Sequence, residues 1–189
     1  MRWTVLAAVG VLVAAGCSDD KPGAKRGEGG KVTTAGSVSV FDLRPGDCLD
    51  PPPDLAGDIA TLPVVPCNEP HTQEVFALKE STESAYPGPE ALATEANILC
   101  ITAMQSELKL SPDDGYFISY LLPSFDGWNK DKDRSVICVF VFPALGSVTG
   151  SVVEQVQAGE VQPGSPPPVQ PAPLDPTAPS STTVSTATT

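Results

Sequence analysis

The sequence lacks most of the features that identify an enzyme or a nucleic-acid-binding protein. It has a single histidine, no glycine-rich phosphate loop and no Gly-x-Ser-x-Gly motif for an activated serine. No Cys-x-x-Cys pair is present to support redox exchange. Only 11 Lys and Arg stand against 23 Asp and Glu, and the resulting net charge of -12 would repel phosphate backbones. These absences predict no catalytic residues, no cofactor, no nucleotide and no nucleic-acid partner.

The sequence also lacks a hydrophobic run long enough to cross a bilayer comfortably. The longest apolar run, residues 3–15, follows Arg2 and leads through Gly16 to Cys17. This small-small-Cys ending resembles a bacterial lipobox, which implies a signal peptide over residues 1–16 and a diacylglycerol anchor on Cys17. The resemblance predicts a lipid-anchored protein on the extracytoplasmic face of the cell membrane. An ordinary cleaved signal with a chance cysteine is the alternative.

Two flanking segments have the composition of flexible chain. Residues 17–36 are rich in Gly, Lys and Asp and predict a tether from Cys17. Residues 154–189 are dominated by Pro, Ser, Thr and Val without periodicity, and predict a disordered tail that is a plain spacer or O-glycosylated. Residues 37–153 between them are predicted to form one acidic globular domain.

The apolar pattern of this domain predicts mixed secondary structure. Residues 90–108 have apolar positions at helical spacing: Leu92, Ala96, Leu99 and Ala103. Strands are predicted at residues 59–65, 72–78, 116–122, 135–142 and 148–153. In the second of these, alternation puts Glu74 and Phe76 on one face and Val75 and Ala77 on the other. Strands in hairpin order with one inserted helix predict an α+β fold, a small antiparallel sheet with one main helix packed on one face.

Four cysteines remain once Cys17 carries lipid, and an even number in an exported chain indicates disulfides. Three pairings are possible. We favour Cys48–Cys67, because these residues flank one short loop, and Cys100–Cys138, because this bond would tie the helix to a strand. Each bond is expected to stabilise the fold by about 3 kcal/mol through the entropy of the unfolded chain.

His71 is the residue at which chemistry would be expected. The spacing Cys67-x-x-x-His71 is similar to half of a zinc site, but zinc needs four ligands and paired cysteines would leave only His71 and carboxylates. We therefore predict no metal, with His71 bonding a nearby backbone carbonyl or carboxylate. The alternative is an envelope hydrolase or metal-dependent enzyme that uses His71 with acidic loop residues such as Asp113, Asp114, Asp131 and Asp133.

Trp128 lies in a polar loop predicted over residues 123–133. Such a tryptophan either caps the core or forms an exposed platform for a glycan or a protein. Together with Arg134 and His71, Trp128 is our candidate for contact with a partner.

Several motifs taken together resemble one known family. They are Leu43-Arg-Pro-Gly-Asp-Cys48, Val65-Pro-Cys-Asn-Glu-Pro-His71, Tyr86-Pro-Gly88, Asp133-Arg-Ser-Val-Ile-Cys138 and Thr149-Gly-Ser151. In their order and in the spacing of the four cysteines, they are similar to the septum formation domain of envelope proteins in high-GC Gram-positive bacteria. The similarity covers residues 40–152 and departs at Lys132, where a glycine is expected.

The resemblance implies a membrane-anchored envelope protein without known catalytic residues. It predicts a binding or scaffolding module linked to septum formation or to the cell wall. The expected partners are the membrane, through the lipid on Cys17, and either a protein of the division site or a cell-wall glycan.

Overall fold

The computed structural model describes residues 23–51, 59–142, 146–168 and 170–171. It shows an α+β fold with one main helix, antiparallel strands and two disulfides, as the sequence predicts. The predicted signal peptide and the lipidation of Cys17 lie outside the described residues. No helix within these ranges is both long enough and apolar enough to cross a bilayer.

Ten short or medium strands and two α-helices make up the described chain. The strands are β1 Lys25–Arg26, β2 Val32–Thr34, β3 Gly36–Ser39, β4 Cys48–Leu49, β5 Thr61–Val65, β6 Gln73–Glu80, β7 Phe117–Leu121, β8 Ser135–Val141, β9 Gly146–Ser147 and β10 Gln170–Pro171. The helices are α1 Pro89–Glu107 and α2 Val152–Gln157, with 3-10 turns at Glu28–Gly30, Val40–Asp42 and Pro112–Asp114. The main sheet has the antiparallel order β3-β5-β4-β6-β8-β7, while β1 pairs with β2 and β9 with β10.

The strand β8 lies inside the sheet and is buried on both faces, which explains its continuous apolar sequence. Its residues Val136, Cys138 and Phe140 belong to the core beneath α1 and α2. Ile137 and Val139 belong to a second core on the opposite face, beneath the amino-terminal strands. The sheet therefore separates two apolar layers, and the second is formed partly by residues before position 37.

A β-bulge at Phe76 changes the facing of β6. Val75 pairs with Val139, but the next pair joins Ala77 to Cys138, so Phe76 is the extra residue. Phe76 and Ala77 consequently pack on the α1 side together. The predicted facing is therefore confirmed for Glu74, Val75 and Phe76 and wrong for Ala77.

The helix α1 is confirmed to within one residue at each end. Gly88 precedes it with φ 91°, and Pro89 occupies the first turn, where its missing N–H is not needed. Cys100, within the buried face of this helix, forms the bond with Cys138 that fixes α1 to β8. The second predicted bond, Cys48–Cys67, joins β4 to the turn after β5. Both favoured disulfides are confirmed.

The folded domain extends into both of the segments that the composition predicts to be flexible. Residues 23–36 pack on the sheet, because Val32 enters the second core and Arg26 forms a 2.6 Å ion pair with the buried Asp47. At the other end α2 is helical through Gln157, and Val161 is buried against the first core. Neither segment is therefore free over its whole predicted length.

The strand predicted at residues 148–153 is wrong. Only Val148 pairs there, in a single bridge with His71. Gly150 has φ 90°, and the Ser151 side chain accepts a hydrogen bond from the N–H of Glu154. This cap starts a helix at Val152 instead of a strand.

The Trp128 loop, residues 122–134, contains a π-helical turn at Gly127–Asp131 that ends at Lys132. Lys132 has φ 61° and ψ 25°, in the left-handed region that favours glycine. A glycine would adopt this conformation without the strain that a lysine incurs there.

Replacing Lys132 by Gly should therefore raise the free energy of unfolding, by roughly 0.5–1 kcal/mol, since relief of the left-handed strain exceeds the added unfolded-state entropy. Urea denaturation measures the change. Lys130→Gly is the matched control, because Lys130 lies inside the same turn and should lose roughly 1 kcal/mol. Equal destabilisation by both substitutions would contradict this account.

Candidate functional site

His71 is fully buried between β6 and the segment before α2. Its backbone exchanges hydrogen bonds of 3.0 and 2.9 Å with Val148. The ring nitrogen Nδ1 lies 2.9 Å from the carbonyl oxygen of Glu69, which can only accept, so Nδ1 carries the proton. Burial lowers the pKa of His71 and keeps the ring neutral. The other nitrogen, Nε2, is buried without a hydrogen-bond partner.

Glu74 is the second buried polar residue at this joint. Its carboxylate accepts hydrogen bonds from Ser151 Oγ at 2.5 Å, from the N–H of Val152 at 2.7 Å and from the N–H of Val153 at 3.2 Å. It thereby caps α2 from a neighbouring strand. Burial raises the pKa of Glu74 to about 7, against the opposing effect of these hydrogen bonds.

Glu74 was not recognisable as a functional residue from the sequence. It lies in an otherwise apolar stretch that includes Val75 and Phe76, and this pattern was its only signal. An acidic side chain on the buried side of a strand needs hydrogen-bond donors. Those donors come from Ser151 and α2, far along the chain, so no local pattern reveals them.

We name His71, Glu74 and Ser151 the buried polar cluster. Its geometry is not that of a serine hydrolase, because Ser151 Oγ donates to Glu74 and accepts from the N–H of Glu154. The acidic loop residues are elsewhere: Asp113 and Asp114 form a 3-10 turn, and Asp131 and Asp133 lie in the Trp128 loop.

The residues within reach of one cation are few. In the described ranges, only Cys48, His71 and Glu74 form a group of three possible ligands, with ligand atoms within 4.8 Å of one another. The Cys48 sulfur is bonded to Cys67, and therefore only the imidazole and the carboxylate are free to bind.

Trp128 is buried, with 1% of its surface exposed, and forms a cap on the core. The Arg134 guanidinium lies 3.7 Å from the ring centroid and donates hydrogen bonds to the carbonyls of Trp128 and Asp133. Tyr86 packs edge-on against the indole. The expectation of an exposed platform is therefore corrected, since Trp128 and His71 are both interior and Arg134 is occupied by Trp128.

The exposed candidate for recognition is a groove on the sheet face opposite α1. A hollow of about 540 Å³ is lined by Val40, Phe41, Ile59, Ala60, Tyr120, Leu121, Leu122, Pro123, Ser124, Asp126, Gly127, Asp131, Asp133, Ser135 and Ile137. A second hollow of about 460 Å³ shares Val40, Phe41, Ser135 and Ile137 with it and continues to Leu78. We name the two together the Phe41 groove.

Phe41 stands at the junction of the two hollows with 68% of its surface exposed. It belongs to the 3-10 turn at Val40–Asp42, where Ser39 Oγ accepts a hydrogen bond from the Phe41 N–H. This short cap holds the turn, while Leu43 is anchored in the second core. The exposed position of Phe41 is thus built into the local backbone.

The motifs that resemble the septum formation domain meet around the buried polar cluster. The Gly46 N–H donates to the Val75 carbonyl at 2.7 Å, and the Val75 N–H donates to the Asp47 carbonyl at 2.9 Å. The Gly150 N–H donates to the Cys67 carbonyl. Three stretches that are distant in sequence therefore form one packed joint.

The raised pKa of Glu74 predicts a pH-dependent stability. Between pH 4.5 and about 7 the folded chain holds a proton on Glu74 that the unfolded chain has released. The free energy of unfolding should therefore fall as pH rises through this window, by up to about 3 kcal/mol from this group. The lowered pKa of His71 has the opposite effect. Below pH 6.5 the unfolded chain takes up a proton that the buried ring does not, so the contribution of His71 to the free energy of unfolding falls as pH falls.

Urea denaturation of the wild type and of Glu74→Gln, at about pH 5 and about pH 8, separates the two residues. The free energy of unfolding of Glu74→Gln, measured relative to the wild type, should be higher at about pH 8 than at about pH 5. Glu90→Gln, at an exposed position of α1, is the matched control and should keep the wild-type slope. A difference that does not change with pH would contradict the assignment to Glu74.

In comparison with known proteins, no family model, no curated protein and no solved structure matches this chain.

Proposed function

We propose that this protein is a non-enzymatic, lipid-anchored envelope protein whose domain binds a segment of a partner protein in the Phe41 groove. Septum formation or cell-wall maintenance is the process that the sequence motifs suggest. The observation that carries the proposal is a groove of two adjoining hollows, the larger mainly apolar, with an exposed aromatic side chain that lines both.

The shape of the groove favours a chain segment as the occupant. Two adjoining hollows share Phe41, so a ligand that fills both passes across the ring. Burying a phenylalanine side chain contributes roughly 1.5–3 kcal/mol. Leu78, at the far end, is also exposed at 44% and extends the apolar contact.

The charges at the groove favour a basic segment. Asp126, Asp131 and Asp133 line the larger hollow, and no Lys or Arg side chain of the described chain lines it. The smaller hollow is lined by Glu80 and by Lys79, and Lys79 is paired with Glu107. The cations near the larger hollow also have partners: Lys130 pairs with Asp126 at 2.7 Å, and Arg134 covers Trp128. An apolar segment flanked by Lys or Arg complements this surface.

A protein segment suits the groove better than a cell-wall glycan. Trp128, which the sequence offered as a platform for a glycan, is buried under Arg134. Most residues that line the larger hollow are apolar, which favours the apolar side chains of a peptide over sugar hydroxyls. The enzyme alternative has less support, because the buried polar cluster is closed to substrate and Ser151 is bonded to Glu74.

Selection of displayed random peptides on the full chain tests the groove. Enriched peptides should combine apolar residues with Lys or Arg, and Phe41→Ser should weaken their binding by about 10-fold or more, as the loss of one buried aromatic ring implies. Phe117→Ser is the matched control, because Phe117 is 65% exposed but lies outside the groove.

Equal binding by both variants would contradict the groove as the binding site. Sedimentation with purified cell-wall sacculi tests the other occupant. Phe41-dependent binding to sacculi, without peptide enrichment, would replace the protein partner by a glycan.

Anchoring by Cys17 is tested separately. Cys17→Ser should move the protein from the membrane fraction to the soluble fraction of fractionated cells, because it removes the acyl chains that hold the protein on the bilayer. Metabolic labelling with an alkyne fatty acid should mark the wild type and leave the variant unmarked. An unlabelled wild type that is released from cells would indicate an ordinary signal peptide.

A further inference from the structure

We propose that reduction of the Cys48–Cys67 bond creates a zinc site formed by Cys48, His71 and Glu74, with Cys67 as the fourth ligand. In the oxidised protein the site cannot bind zinc, because the Cys48 sulfur is bonded to the Cys67 sulfur. The inference does not depend on the Phe41 groove.

The three core ligands are already assembled in the fold. Their ligand atoms lie within 4.8 Å of one another, and all three residues are fully buried. Zinc bonds of about 2.0–2.3 Å to N, O and S in a tetrahedral site need ligand atoms somewhat closer than this. Small side-chain rotations therefore complete the geometry without a change of fold.

His71 supplies the independent sign of a ligand. Its Nδ1–H is directed to the Glu69 carbonyl, which fixes the tautomer that leaves a lone pair on Nε2. That nitrogen is buried without any hydrogen-bond partner. A backbone carbonyl behind the ring and a free second nitrogen form the arrangement of a metal-binding histidine.

Glu74 and the two cysteines can also supply ligand atoms. Glu74 Oε2 accepts one hydrogen bond, from the Val152 N–H, and keeps a second lone pair. Cys48 is fixed on β4, whereas Cys67 lies in a turn and is only half-buried. The Cys67 side chain is therefore the part that can move and that an external thiol can reach.

The opening step is thiol–disulfide exchange with a dithiol. One reductant thiolate attacks the Cys67 sulfur, the Cys48–Cys67 bond breaks, and Cys48 leaves as a thiolate. The second reductant thiol then displaces Cys67, so that the dithiol is oxidised to a disulfide and the two protein sulfurs receive two electrons. Zn²⁺ binds both thiolates, and any proton that they carry passes to water.

Two variants that lack the same disulfide provide the sharpest test. Cys67→Ser frees the buried Cys48 sulfur and should bind one Zn²⁺ without any reductant. The double variant Cys48→Ser/Cys67→Ser also lacks the covalent bond but keeps neither sulfur ligand, and it should bind at least about 100-fold more weakly. Competition with a chromogenic zinc chelator measures both affinities, and near-ultraviolet circular dichroism confirms the fold.

Adding His71→Ala or Glu74→Gln to Cys67→Ser should also reduce the affinity about 100-fold, and cobalt substitution should give a tetrahedral thiolate spectrum. Equal zinc binding by Cys67→Ser and by the double variant Cys48→Ser/Cys67→Ser would overturn the proposal. If neither variant folds, mild reduction of the wild type replaces them: added zinc should slow the alkylation of Cys48 and Cys67 relative to a zinc-free sample. Alkylation at the same rate with and without zinc would overturn the proposal.

Discussion

The burial of the Glu74 carboxylate is the constraint on which the carboxyl-terminal half of the domain depends. A buried carboxylate must be surrounded by donors, and here they are Ser151 Oγ and the first N–H groups of α2. Satisfying Glu74 therefore fixes where α2 begins. It also places Val152 and Val153 in the core that α1 shares, so one polar requirement of β6 organises an apolar layer.

Regular periodicity made part of this fold predictable from the sequence. The helix α1 and the interior strand β8 have long stretches that obey a single pattern, and both disulfides follow from the elements that they join. Irregular positions were not predictable in the same way. The bulge at Phe76 depends on the packing of β8, and the apolar content around Val152 fits a strand until the cap at Ser151 is known.

The candidate sites show the same division. His71 was recognisable as the only histidine, and its hydrogen bond to a backbone carbonyl was expected. Its neighbour Glu74 was not recognisable, because the groups that justify its burial come from about eighty residues later in the chain. The Phe41 groove was equally hidden, since residues from Val40 to Ile137 contribute to it and no single stretch contains its pattern.

The exposed Phe41 groove and the buried joint around Glu74 both lie where short segments pack against the sheet. The turn at Val40–Asp42 is short and leaves Phe41 exposed, in the hollow that Tyr120 and Leu121 of β7 also line. On the other side, the joint of β4, β6 and α2 excludes water so completely that its polar groups must satisfy one another. Among the polar atoms of this joint, His71 Nε2 is buried without a hydrogen-bond partner. The sheet thus separates an exposed groove beside Phe41 from a buried polar joint around Glu74.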